Sequence, residues 1–165
     1  MSEHEYLEIV KKLIPGSYST STGHPGAEMD FEEFVKDVTE LVPELRGLED
    51  WEVEEKVLSA IDWVRGNICS EVYGWEYVPE GGDYYQGSGL YVCNHPATGK
   101  FYLVIHEVAN EASGYGYFGF TLTNNYREAL KKYSKIKKYE VEEHKLPKKY
   151  LYTYRGSSRK RGVSV

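Results

Sequence analysis

Basic residues are almost missing from the middle of this chain. Within residues 67–122 only Lys100 is basic, against six carboxylates. Cysteine is scarce too, with Cys69 and Cys93 the two among 165 residues. That excludes a disulfide-dense scaffold, and there is no Cys-x-x-Cys pair and no Cys/His ligand spacing. Two free thiols in a reducing cytoplasm are the default expectation, and nothing in the sequence argues for a Cys69–Cys93 bridge. Long apolar runs are absent as well. The longest, such as Phe101–Ile105, hold about five residues, where a membrane-spanning helix needs roughly 20. The acidic start, MSEHEYLEIV, lacks the basic and apolar segments of a secretory signal. No internal repeat, low-complexity tract or family motif is recognisable, and no cofactor is implied.

What is present is a core's worth of apolar residues, 41%, and an unusual aromatic balance of 16 Tyr to 5 Phe. The net charge of −6 conceals a gradient. Residues 1–66 carry 16 acidic and 6 basic side chains, and residues 123–165 carry 4 acidic and 13 basic. An acidic body therefore ends in a basic segment.

Hydrophobic spacing places three helices in the first 66 residues. The first covers residues 3–14, with Tyr6, Ile9, Val10, Leu13 and Ile14 on one face. Residues 16–26, GSYSTSTGHPG, have no periodicity and read as a loop. The second helix has Asp30 as its cap and Glu33 at the capping-box position. Its stripe is Phe31, Phe34, Val35, Val38, Leu41 and Val42, and it stops before Pro43. The third begins at Asp50 and buries Val53, Val57, Leu58, Ile61 and Val64, with Gly66 as its end. Strands follow at Val72–Val78, Leu90–Asn94, Lys100–Ala109 and Tyr115–Thr123, separated by turn-rich segments. The longest of these, PEGGDYYQGSG at 79–89, reads as a Gly-rich loop. Asn124 or Asn125 caps a helix to about Tyr133, Lys137–His144 reads as an exposed edge strand, and residues 146–165 as a flexible basic tail. The expected fold is α+β: three N-terminal helices, an antiparallel meander of four or five strands, one helix after it, and the tail. Residues 1–145 are expected to form one domain: helices to 66, the sheet over 67–123, then the last helix and edge strand.

Period-two alternation assigns the sheet's faces once the turns are placed. A turn centred between Ala97 and Thr98 sets Val92 against Leu103, and a second turn sets Phe120 against Leu103. One face then holds Leu90, Val92, Phe101, Leu103, Ile105, Phe118, Phe120 and Leu122, and packs on the helices. The other holds Tyr91, Cys93, Tyr102, Val104, His106, Val108, Tyr115, Tyr117 and Thr121. Tyr on a half-wet face either fills a strand well or makes a contact surface. The last helix covering this face is the simpler alternative.

Catalytic groupings do not assemble in this reading. His106 and Glu107 are adjacent strand residues and point to opposite faces. Ser88 and Ser113 have no nearby base, and Cys93 reads as a buried thiol. Cys93 and His95 fall at the far hairpin end from His106, roughly 17–20 Å away, so no metal site forms there. The Gly-rich segment lacks the Lys-Ser/Thr of a phosphate loop. The expected function is therefore a non-enzymatic protein-binding or inhibitor-type interaction module. Its binding residues are Tyr84 and Tyr85 of the Gly/Tyr segment together with Tyr91, Tyr102, His106, Tyr115 and Tyr117. The partner is another protein or a second copy of the chain, with no membrane contact. The alternative is nucleic-acid binding through the basic, Tyr-interleaved end: Lys148, Lys149, Tyr152, Arg155, Arg159, Lys160 and Arg161. A small enzyme with a pocket around His106 is the remaining alternative.

Overall fold

A computed structural model describes residues 2–22, 27–80, 84–110 and 115–143. Side chains within 21–31, 75–86, 108–117 and from 139 onward lie outside the description. In order, the elements are α1 (Glu3–Leu13), β1 (Gly16–Thr22), α2 (Ala27–Leu41), a 3-10 turn (Pro43–Leu45), α3 (Asp50–Asn67), β2 (Cys69–Glu80), β3 (Tyr84–His95), β4 (Gly99–Asn110), β5 (Tyr115–Thr123) and α4 (Tyr126–Glu143). The fold is α+β, with four helices and one antiparallel sheet of order β1-β5-β4-β3-β2 among the described residues. No helix among them is long and apolar enough to cross a membrane.

Local chemistry explains most helix ends. Ser2 Oγ accepts from the Glu5 amide, and Glu5 returns the bond to Ser2 N, closing α1's first turn. Glu49 N donates to Glu52 at the start of α3. Asn125 Oδ1 accepts from Glu128 N at 3.0 Å and caps α4. α2 and α3 depart from their expected boundaries. α2 begins at Ala27, about one turn before the expected Asp30 cap, and Gly66 lies inside α3, which ends against Ile68.

The residues expected to loop after α1 form β1, so the first helices do not run consecutively. β1 pairs with β5 from Gly16↔Leu122 to Thr22↔Gly116 and becomes one sheet edge. Its Ser/Thr content hides the period-two signal, because only Tyr18 marks the inner face with a large ring. Tyr18 packs against Phe120 at 5.3 Å and donates to Leu13 O at 2.6 Å. Gly16 is required beside it, since a Cβ there would run into the Tyr18 ring.

Outside residues 81–83, the Gly-rich segment is likewise strand rather than loop: β2 extends to Glu80 and β3 starts at Tyr84. β2 carries two register shifts, between Glu71 and Tyr73 and between Tyr73 and Glu76. Such irregularities on an edge strand discourage pairing with other chains. The expected last strand, Lys137–His144, is instead helical through Glu143.

The β3–β4 register corrects the face assignment. His95 pairs Gly99 across a three-residue turn, with Gly99 at φ +71°. Three-residue hairpins of this kind place a residue in the left-handed region, which favours glycine. A symmetric turn between Ala97 and Thr98 is therefore wrong by one residue. Tyr91, not Val92, opposes Leu103, and Leu90 opposes Val104. A one-residue slip exchanges the faces of β3. The β4–β5 register is off by two, with Ile105↔Phe120 and Leu103↔Leu122, so faces on those strands are preserved.

One core consequently joins Tyr18, Tyr91, Cys93, Phe101, Leu103, Ile105, Phe120 and Leu122 to α1, α2 and α3. A second, smaller core on the opposite face joins Leu90 and Val104 to Ala129, Tyr133 and Ile136 of α4. The molecule has three layers: α1–α3, the sheet, and α4.

Cys69 and Cys93 are direct cross-strand partners with Cα atoms 3.9 Å apart, and they are disulfide-bonded. The expectation of two free thiols is thereby corrected. Starting β2 at Val72 concealed the pairing, because Cys69 then lay before the strand.

Candidate functional site

The expected binding residues divide between the two faces. Tyr91 is 3% exposed and lies in the α1–α3 core, beneath the Arg65 guanidinium at 5.9 Å from its ring. Tyr102 is half-buried under α4, where its ring meets Tyr126 at 5.3 Å. His106 is 2% exposed, also beneath α4. Burial and the neighbouring charges of Lys132 and Lys137 push its pKa down to about 3, so the imidazole is neutral. Tyr84, Tyr85, Tyr115 and Tyr117 take part in the strand ladders, as Tyr84↔Asn110 and Val108↔Tyr117. Their side chains lie outside the described residues. Lys148, Lys149, Tyr152, Arg155, Arg159, Lys160 and Arg161 lie wholly outside them.

An open cleft of about 430 Å³ separates α3 from the sheet. Its apolar lining is Leu58 and Ile61 of α3, Ile105 of β4 and Phe118 of β5. Asp62, Arg65 and Glu107 form its polar rim. The register explains why space remains there. Glu107 is flanked by Gly87 on β3 and Phe118 on β5, and Ile105 by Gly89 and Phe120. Two glycines on β3 thus withdraw side chains from one stretch of the helix-facing surface. Tyr91 folds back over Gly89, where a Cβ would meet its ring.

The rim is electrostatically differentiated. Arg65 binds Asp62 at 3.0 Å, and this contact chiefly raises the arginine pKa. Burial raises the Glu107 pKa, so its carboxylate is favoured by an incoming cation. A pocket of this size, apolar with a few polar groups on one side, suits one large side chain or a small amphiphile. Sequence reading set Glu107 on the face opposite His106, but missed Leu58, Asp62 and Arg65 as cleft residues. Gly87 and Gly89 were the available signal, because alternate glycines in a strand leave a gap on one face.

A second opening, of about 420 Å³, lies between α1 and the segment before α3. His4, Glu5, Glu8, Glu44 and Lys56 line it with Ile9, Leu45 and Leu48. It is bounded mainly by charged groups, with the Lys12–Glu44 ion pair nearby. No group of three metal-ligating side chains occurs among the described residues.

Surface charge is segregated. Arg127, Lys131, Lys135 and Lys138 are exposed along α4, at spacings that place them on one stripe. Asp50, Glu55 and Asp62 are exposed along α3, in the opposite layer. No family model matches the chain, and no curated protein or solved structure matches it.

Proposed function

We propose that the chain is a protein-binding module whose contact site is the cleft between α3 and the sheet. The partner segment inserts an apolar side chain against Leu58, Ile61, Ile105 and Phe118 and sets a flanking Lys or Arg beside Glu107. What carries this reading is the combination of an apolar cleft with a half-buried carboxylate whose charge is penalised by burial. The acidic first 122 residues, with 22 carboxylates against 7 basic groups, favour a basic partner. The site therefore differs from the Tyr/His106 face, since α4 covers that face.

The test uses two synthetic peptides, one with Leu between arginines and one with Leu between glutamates. Titration into the labelled protein should shift the amides of Leu58, Ile61, Ile105 and Phe118 with the basic peptide alone. Glu107→Gln should weaken that binding about fivefold or more, and Leu58→Glu should abolish it while the remaining spectrum stays folded. Shifts that map elsewhere, or equal affinity in Glu107→Gln, would refute the cleft as the site.

The basic stripe of α4 supports a second reading, contact with a polyanion such as single-stranded nucleic acid. The stripe lies in the layer opposite the α3 carboxylates, which lessens their repulsion of such a ligand. Reversing Lys131 and Lys135 to Glu should eliminate salt-sensitive binding to an oligonucleotide. Binding unchanged by that reversal would remove this reading.

A further inference from the structure

Three buried polar side chains on the α4 face fall on one line across the sheet. Ser19 of β1 pairs Gly119 of β5, Gly119 pairs His106 of β4, and His106 pairs Ser88 of β3. Ser19, His106 and Ser88 are 4%, 2% and 0% exposed. Gly119 has no side chain, and the Cα atoms of Ser19 and His106 on either side of it lie two strand spacings, roughly 10 Å, apart.

Helix geometry sets Lys132 on the Gly119 side of α4. Ala129 and Ile136 centre α4 on the sheet. At 100° per residue, Tyr133 leans about 40° from Ala129 to one side, and Lys132 about 60° to the other. Tyr133 stacks on Tyr73 of edge strand β2 at 5.1 Å, which fixes its side as that of β2 and β3. Lys132 consequently leans toward β5 and β1. Along the axis, Tyr126 meets Tyr102; Lys132 lies about 9 Å further along α4 and His106 about 13 Å further along β4, a difference that the length of a lysine side chain spans. The electrostatic effect of Lys132 on His106 agrees with that placement.

Two of these groups are unsatisfied. Ser19 Oγ and Lys132 Nζ are buried without any hydrogen-bond partner. Lys132 is 8% exposed, and its ammonium has three donors and no acceptor capacity. A buried cation without a counter-charge is costly. The charged neighbours do not relieve it: Lys135 and Lys137 add positive charge on α4, and His106 is held neutral. Glu128, in the first turn, is engaged with Thr123 at 3.2 Å. The next hydroxyl pair on β1 and β5, Ser17 and Thr121, is self-satisfied at 2.8 Å.

We propose that the space above Gly119, walled by Ser19 and His106 and roofed by Lys132, binds a small oxyanion, a phosphate or carboxylate group. Lys132 supplies the counter-charge, the Ser19 hydroxyl donates a hydrogen bond, and Gly119 leaves the floor open. This site is separate from the α3 cleft, which lies on the other face of the sheet.

The full chain in chloride buffer is titrated with inorganic phosphate and, separately, with acetate, at constant ionic strength. Amide shifts and thermal melting are followed. Saturable shifts at Ser19, His106 and Gly119, with a rising melting temperature, are the expected result. Tighter phosphate binding assigns a phosphate-bearing ligand, and tighter acetate binding assigns a carboxylate. Lys132→Met should abolish the effect, and Ser19→Ala should weaken it about tenfold. Should Lys132→Met fail to fold, Ser19→Ala decides the matter. No saturable response to either anion, or equal binding by both variants and the parent, would overturn the proposal.

Discussion

On one side of the sheet, three helices cover Phe101, Leu103 and Ile105; on the other, one helix covers Leu90, Val104 and His106. The first side is apolar throughout its centre and opens only at its margin, in the α3 cleft. The second mixes a small apolar patch with buried His106, Ser88, Ser19 and Lys132. Apolar burial contributes roughly in proportion to area, so the α1–α3 layer supplies most of the fold's stability. The α4 layer retains polar groups whose charged forms oppose burial. The larger apolar core and the buried polar groups thus lie on opposite faces of the same strands.

Acid should break the α4 side first. The His106 pKa is about 3 in the folded chain and near 6.5 when unfolded. Between those values the unfolded state binds the extra proton, so stability falls as pH drops from about 6.5 toward 3. The shift corresponds to as much as about 4–5 kcal/mol. Denaturant melts across pH 3–7 should show this slope in the parent and a shallower one in His106→Phe. Equal slopes would mean that α4 opens before His106 titrates.

Truncation compares the two cores directly. Phe101→Ala, at a fully buried position, should cost about 3–5 kcal/mol, and Ile136→Ala about 2–4 kcal/mol. Hydrogen exchange should separate them further. Ile136→Ala should release protection in α4 while α1–α3 remain protected, whereas Phe101→Ala should lower protection throughout.

The same asymmetry decided what was readable in advance. On the α1–α3 side, the helix stripes and the inward residues of β4 and β5 followed from periodicity, because large apolar side chains mark that face at every second position. A two-residue error in the β4–β5 register did no harm, since period two restores the face. On β3 the signal was ambiguous. Leu90-Tyr91-Val92-Cys93 has a burial-competent residue at each position, so the turn alone set the faces, and Gly99 was the residue that specified it. β1 escaped notice because Ser17 and Ser19 are small and polar on the face toward α4. The cleft was hidden for a related reason: it is made by side chains that β3 lacks at Gly87 and Gly89. In α4, Lys137 and Lys138 obscured a helix whose buried face is narrow.

Alkali should act through Lys132, whose pKa burial lowers to about 8 from an unfolded value near 10.4. The unfolded state holds the proton in that window, so stability rises as pH climbs from about 8 toward 10.4. The total is up to about 3 kcal/mol. Lys132→Met should remove this slope and, in buffer free of oxyanions, melt at a higher temperature than the parent at pH 7. A bound oxyanion would reverse that order, because it would stabilise the charged lysine in the parent alone.

The smallest effect belongs to the outer surface of the apolar side. Lys12 of α1 pairs with Glu44 of the 3-10 turn, and both side chains are more than a third exposed, at 37% and 48%. The hydrogen bond from Lys12 holds the Glu44 pKa below the usual carboxylate range, so its contribution is present at neutral pH and lost as pH falls. Water and salt screen a pair in that position, which limits it to about 0.2–1 kcal/mol. Glu44→Gln should therefore lower stability by no more than that at low salt, and by nothing measurable near 1 M salt. A larger loss that persists in high salt would show that the α1 contact with the 3-10 turn depends on more than the apolar packing of Leu45 and Leu48. The stability of the α1–α3 layer would then rest partly on charge, and the contrast with the α4 side would narrow.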